Sequence, residues 1–218
     1  MVSRSNDIIV LAPPKTASNS LYKCLEDSGV EFDRLPFNKG NVKQHQTLSE
    51  LCNTFDVLDV NIVDFKIIQI VRNPLDRLVS SFLHHNRMVS KPIEFDNLIE
   101  DLVELKPLLP NNIDEFYDHM YEPHWVLKME GKPHWGGIRL WYEQNWYNDN
   151  FANVKTFKLE DLQKDVKPLA DYLNLDIKEF PIENKHNTED YLSYYTNEQI
   201  QIVKDLYKRD FKLFDYEL

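Results

Sequence analysis

Three groups of residues in this chain have the chemistry to hold an anion and move a proton beside it. The first is PKTASNS, in which Lys15 stands against a small polar cluster of Thr16, Ala17, Ser18, Asn19 and Ser20. The second is VRNPLDRLVSS, in which Arg72 is followed eight residues later by Ser80. The third is His45, in KQHQTLSE between the other two. Ammonium, guanidinium and hydroxyl donors suit phosphate oxygens, and a neutral imidazole is a competent base near pH 7.

The surrounding sequence supplies elements that would position these groups. Ile8 to Ala12 has the β-branched richness of a buried strand. Ser18, Asn19 and Ser20 all suit an N-cap, and Leu21, Cys24 and Leu25 then recur at helical spacing as far as Asp27, with Gly29 as the helix stop. Such a helix aims unpaired backbone N–H groups and a positive dipole end at the loop before it. Phe65 to Val71 reads as a central strand and Arg72-Asn73-Pro74 as a turn. Leu75 onward reads as a helix with Leu75, Leu78, Val79 and Phe82 on one face. Arg72 then leaves the carboxyl edge of a strand, and Ser80 lies about two turns along the next helix. Val154 to Leu159 followed by Glu160-Asp161-Leu162 is a third strand and turn. Three such units predict an α/β fold with a parallel sheet and a ligand crevice at its carboxyl edge. Thr47 or Ser49 caps a short helix with Leu48, Leu51 and Cys52, which leaves His45 on the loop before it.

The first loop is not a Walker A motif. GxxxxGK[ST] needs glycines, and Pro13 to Ser20 contains none, which argues against ATP or GTP chemistry. PKTASNS instead resembles the loop that grips the 5′ end of 3′-phosphoadenosine 5′-phosphosulfate (PAPS) in sulfotransferases, most of all the PKTGSTS type of carbohydrate 2-O-sulfotransferases. VRNPLDRLVSSF resembles the segment of the same family that binds the 3′-phosphate, with Arg72 and Ser80 in the two recognition places. VKTFKLEDL resembles the family's strand and EDL turn, and the DxxxFxY close resembles that of carbohydrate sulfotransferases. The sequence departs from the pattern at Ala17, where glycine is common, and at Asn19, where a second hydroxyl is usual.

The resemblance implies a single sulfotransferase domain over residues 1–218, with a P-loop-like three-layer fold and a central parallel sheet flanked by helices. It implies PAPS as donor and adenosine 3′,5′-bisphosphate as product, without a metal. Lys15 would neutralise the departing phosphate oxygen. Thr16, Ala17, Ser18, Asn19 and Ser20 would hold the 5′-phosphate through side chains and loop amides, and Arg72 with Ser80 the 3′-phosphate. Many members place a catalytic histidine between the two motifs, a place His45 fills; His84, His85 and His124 are its rivals. The acceptor would be a small molecule or glycan hydroxyl, or an amine. A nucleotide or small-molecule kinase and a binding module that transfers nothing are the alternative readings.

Elsewhere the sequence sets further expectations. Val30 to Phe37 reads as a short strand. Phe95 to Leu109 reads as an acidic amphipathic helix with Ile99, Leu102, Val103 and Leu105 facing the core, and Ile138 to Asn148 as a helix. Phe116 to Tyr147 holds all four tryptophans, Trp125, Trp135, Trp141 and Trp146. These either line an acceptor pocket or pack a loop-rich lobe. Glu122 to Trp125, EPHW, resembles a family His-Trp segment, and Lys185 to Asn187 is a candidate to close over the nucleotide. Pro168 to Leu173 reads as a short helix. Thr196 caps a terminal helix with Ile200, Val203, Leu206 and Tyr207 as its stripe. Arg77 reads as a surface or ion-pair contact.

A length of 218 residues suits one domain with a substantial core, or two small lobes. The net charge of −11 argues against nucleic acid and weighs against a polyanionic acceptor. Two cysteines, Cys24 and Cys52, make neither a disulfide framework nor a four-ligand zinc site. The first apolar run is too short for a signal peptide and no later segment approaches membrane-spanning length, so the expectation is a cytoplasmic protein.

Overall fold

The computed structural model describes residues 1–33, 45–58, 61–88, 90, 92–108, 142–148, 153–181 and 190–217. Its strands are β1 (Val2–Ser3), β2 (Ile8–Leu11), β3 (Lys66–Val71) and β4 (Val154–Lys158). Its helices are α1 (Ser18–Asp27), α2 (Leu48–Leu58), α3 (Pro74–Met88), α4 (Phe95–Leu105), α5 (Leu159–Leu162), α6 (Lys167–Leu173), α7 (Asn197–Leu206) and α8 (Lys208–Leu213). The chain divides into two compact units, Met1–Arg72 with Tyr147–Lys185, and Asn73–Trp146 with His186–Leu218.

The first unit is built on a sheet ordered β1-β2-β3-β4. β2, β3 and β4 run parallel, with Val10 opposite Ile68 and Ile68 opposite Lys155. The sequence predicted this parallel core. It did not reveal β1, which pairs antiparallel with β2 and is too short for any periodicity to register. Apart from Lys66 at the start of β3 and the buried Gln69 within it, β2 and β3 are apolar on both faces, as strands covered on both sides are. Ile8, Val10, Ile68 and Ile70 pack with Leu21, Cys24 and Leu25 of α1 and with Leu162, Leu169 and Leu173 of α5 and α6. Ile9, Leu11 and Ile67 pack on the opposite face with Leu48, Leu51 and Phe55 of α2. These three layers are the predicted α/β arrangement.

Local chemistry sets where the first unit's elements stop. α1 ends at Ser28, and Gly29 follows with a φ of 87°. Gly29 N–H donates to Glu26 O at 2.9 Å and Val30 N–H to Leu25 O at 3.0 Å, satisfying the last carbonyls. The expected strand from Val30 does not form over Val30 to Asp33, and Arg34 to Phe37 lie outside the described residues. Asp33 is instead tied to β1 and its turn: its N–H donates to Val2 O at 2.7 Å, and its carboxylate accepts from Arg4 N–H at 2.8 Å. One such link with side-chain support is not a ladder.

The second unit has its own core. Leu75, Leu78, Val79 and Phe82 of α3, the face read from the sequence, pack with Leu98, Ile99, Leu102 and Leu105 of α4 and with Val203 and Tyr207. Val103, expected in that core, is 46% exposed. The stripe of α4 runs through Phe95, Leu98, Ile99, Leu102 and Leu105, and Val103 stands about 100° further round the helix. Thr196 caps α7 as predicted, in a capping box: Gln199 N–H donates to Thr196 Oγ1 at 3.2 Å and Thr196 N–H to Gln199 Oε1 at 2.9 Å. The terminal helix is broken at Tyr207, so α7 and α8 are separate.

Within Ile138 to Asn148, only Tyr142 to Asn148 are described, and there the predicted α-helix is replaced by a 3-10 turn over Gln144–Tyr147. The physical reason is a competing acceptor. Gln144 and Asn145 N–H groups donate to the Asp210 carboxylate at 2.8 and 3.1 Å. Among the described residues, no helix is long and apolar enough to cross a membrane.

Candidate active site

The β2–α1 loop is held in an unusual backbone shape. Lys15 and Ala17 have φ values of 67° and 61°, in the left-handed region that favours glycine. For residues with a Cβ this costs about 1–2 kcal/mol each. Ala17 is therefore a strained substitute at the position where the resembled loops commonly carry glycine. It is also the N-cap of α1, which corrects the expectation that Ser18, Asn19 or Ser20 would cap. α1 begins at Ser18, and its first helical bond runs from Leu21 N–H to Ala17 O at 3.0 Å. No side-chain cap and no first-turn acid neutralises this helix start, so its dipole remains available to an anion.

Three side chains brace the loop by taking its carbonyls. Thr16 Oγ1 donates to Pro13 O at 2.7 Å, His45 Nδ1 to Ala12 O at 2.7 Å, and Arg72 Nη1 to Lys15 O at 3.2 Å. Each bond compensates a partial negative charge that would otherwise oppose an anion in the loop. A carbonyl oxygen only accepts, so in this bond His45 Nδ1 carries the proton.

These contacts bring together most of the residues singled out in the sequence. Lys15, Thr16, Ala17, Ser18, Asn19, Ser20, His45 and Arg72 all belong to the first unit, at the carboxyl ends of β2 and β3. Thr16 is fully buried with its hydroxyl proton on Pro13, Ser20 is buried, and Asn19 is exposed. Ser80 is buried on α3 in the second unit, as is His85, with His84 half-buried beside it. His124, Trp125, Trp135, Trp141, Lys185 and Asn187 lie outside the described residues. Trp146 lies in the 3-10 turn, its ring 5.0 Å from that of Tyr142. Among the described residues no group of three or more His, Cys, Asp or Glu is placed to hold a metal ion.

The main surprise is a buried charge cluster in the second unit. Arg77, expected to make a surface or ion-pair contact, makes the ion pair but in the interior: it is 1% exposed and donates through both terminal nitrogens to Tyr142 O, at 3.2 and 3.1 Å. Asp210 faces it and is itself sealed from solvent. Burial pushes the Asp210 carboxyl up to about 6, against the pull of Arg77 and the Gln144 and Asn145 amides. Lys106 lies 4.5 Å over the Tyr207 ring, and burial draws its ammonium down to about 8, against the attraction of Glu143 and Asp210. In the sequence these residues lie on four separate segments, and the only hint was a second arginine in RNPLDR. In the first unit, buried Gln69 accepts from Asn148 Nδ2 at 2.9 Å, another polar pairing no motif announced.

The sequence matches the model of the sulfotransferase family over residues 1–217. The chain belongs to that family. Its reaction class is accordingly sulfuryl transfer. Among solved structures, this sulfotransferase is similar to the mouse sulfotransferase SULT7A1 complexed with PAP, with a TM-score of 0.57 at 16% identity, covering 98% of this chain and 86% of the mouse chain. A sulfotransferase from Alicyclobacillus acidocaldarius also matches, with a TM-score of 0.39 at 17% identity, covering 96% of this chain and 98% of the other. The mouse likeness supports the fold. No curated protein sequence matches.

Proposed function

We propose that the donor of this sulfotransferase is 3′-phosphoadenosine 5′-phosphosulfate and that the first unit's loop grips its 5′ end. The observation that carries the reading is the uncapped start of α1 behind Lys15, in a glycine-free loop whose carbonyls are tied back by Thr16, His45 and Arg72. An anion there meets backbone N–H groups, a helix dipole and an ammonium together. The mouse relative's complex with PAP is consistent with this donor class.

The donor brings an activated sulfuryl group when bound, and the chain's residues do the rest. Ser18 and Asn19 side chains, with the amides of Ala17 to Ser20, hold the 5′-phosphate. Lys15 offsets the charge growing on the phosphate oxygen as its bond to sulfur breaks. His45 Nε2 takes the proton of the attacking hydroxyl or amine. This is positioning and charge stabilisation, as in phosphoryl transfer. Arg72 recognises the 3′-phosphate, and Ser80 keeps the role its motif implies. The functional domain is the whole of 1–218, since the motifs fall in both units. A glycan hydroxyl is the acceptor favoured by the likeness of PKTASNS to carbohydrate enzymes. Among the described residues Cys24 and Cys52 form no disulfide, which fits a reducing, cytoplasmic setting.

The test is calorimetric titration with adenosine 3′,5′-bisphosphate, AMP and ATP in parallel, followed by transfer assays from PAPS to a panel of sugar, phenol and amine acceptors. Preferential binding of the bisphosphate together with sulfated product supports the reading. Equal binding of ATP, or no binding of the bisphosphate, overturns it.

A further inference from the structure

We infer that Arg72 is a positioning residue for Lys15, holding the phosphate loop in its working shape in addition to any contact it makes with a ligand; the part of this concerning nucleotide rests on the donor reading above. The two residues are 57 apart in sequence, and the guanidinium Nη1 donates to the Lys15 carbonyl at 3.2 Å.

The need for such a brace follows from the backbone. Lys15 is left-handed at a φ of 67°, and Ala17 two residues on at 61°, so the loop stores strain and relaxes unless its surroundings hold it. Thr16 and His45 secure the carbonyls of Pro13 and Ala12, at the stem of the loop. Turning the peptide after Lys15 toward the right-handed region swings its carbonyl, and the bond from Arg72 opposes that swing.

Arg72 is suited to the task by what precedes it. It follows directly on Val71, fully buried and paired with Lys158 in the parallel ladder, so its stem starts from a rigid strand end. A guanidinium has five N–H donors in a fixed fork. One of them holds the Lys15 carbonyl, and the 3′-phosphate role proposed above falls to the same guanidinium. Occupation of Arg72 by a phosphate thus orders the same side chain that holds the Lys15 backbone. Recognition at one phosphate is coupled to the placement of the lysine at the other.

This dual role makes a prediction that pure 3′-phosphate recognition does not. AMP has no 3′-phosphate, yet Arg72→Ala should weaken AMP by about tenfold, the loss expected of one charge-assisted bond. The loss should persist at about 0.5 M salt, where free charge attraction is screened within a few ångströms. In the ligand-free protein, amide hydrogen exchange of residues 15–19 should quicken by a similar factor, with the body of α1 unchanged. Arg72→Met, which keeps an apolar stem without donors, is measured beside it in case the alanine variant does not fold. Unchanged exchange at residues 15–19 overturns the inference, as does an AMP affinity within twofold of wild type or a loss that disappears at high salt. Should the wild-type protein bind no bisphosphate, the donor reading fails instead, and the exchange measurement still decides whether Arg72 braces the loop.

Discussion

Arg77 Nη1 lies 3.9 Å from Asp210 Oδ2, with the two side chains 1% and 0% exposed. Neither ion has water to fall back on, so each depends on the other and on the backbone groups around them. Those groups are the Tyr142 carbonyl on the arginine and the Gln144 and Asn145 amides on the aspartate. Removing one partner strands a charge, which typically costs about 3–5 kcal/mol. Arg77→Met and Asp210→Leu should each destabilise the protein by that order in urea unfolding. The double variant should lose clearly less than the sum, and strictly additive losses would refute the coupling.

Ala17→Gly should stabilise the protein. The left-handed backbone at Ala17 strains any residue with a Cβ, whereas glycine adopts it freely but adds entropy to the unfolded chain. The two effects leave a net gain of about 0.5–1 kcal/mol. Thermal unfolding of the variant would check this, and a lower midpoint than wild type would show that the strain is relieved some other way.

His45→Ala should lower the rate of sulfuryl transfer by about 10²–10⁴, the range for a lost general base. Nucleotide affinity should fall much less, because the imidazole's bond to the loop is at its stem, on Ala12 O. Turnover numbers and dissociation constants measured on the same preparation separate the two. A variant with unchanged turnover would pass the role to another residue, His124 first.

Lys106 gives a pH signature with a definite sign. Its ammonium is drawn down to about 8 by burial, below the ordinary 10.5. The unfolded chain therefore binds more protons between about pH 8 and 10.5, and this residue's contribution to stability rises with pH across that window. Below it, the full cost of burying the charge is present. Lys106→Met removes the titration, so its advantage over wild type should be largest near pH 7 and shrink toward pH 10. Parallel melting curves at several pH values check this, and a constant difference would contradict it.

How much of this was legible in advance depends on how local the governing interaction is. The parallel strands at Ile8 and Lys66, the start of α3 at Pro74, the stop at Gly29 and the cap at Thr196 were all readable, because each follows from periodicity or from one residue's backbone preference. The two candidate anion motifs were readable because their residues are close in sequence, and the family they resemble is the one matched over 1–217. What the sequence alone determined was therefore the three strand-and-helix units, the parallel core of the sheet and the family. Only the tertiary structure decided that Ala17 rather than a serine opens α1, that Asp210 draws residues 144 and 145 out of an α-helix, and that Arg77 is buried. It alone tied Arg72 to Lys15. The Ala17 cap rests on a strained local backbone; each of the others is a bond between distant segments, and its strength depends on burial and on a partner's position, quantities that no stretch of sequence carries by itself.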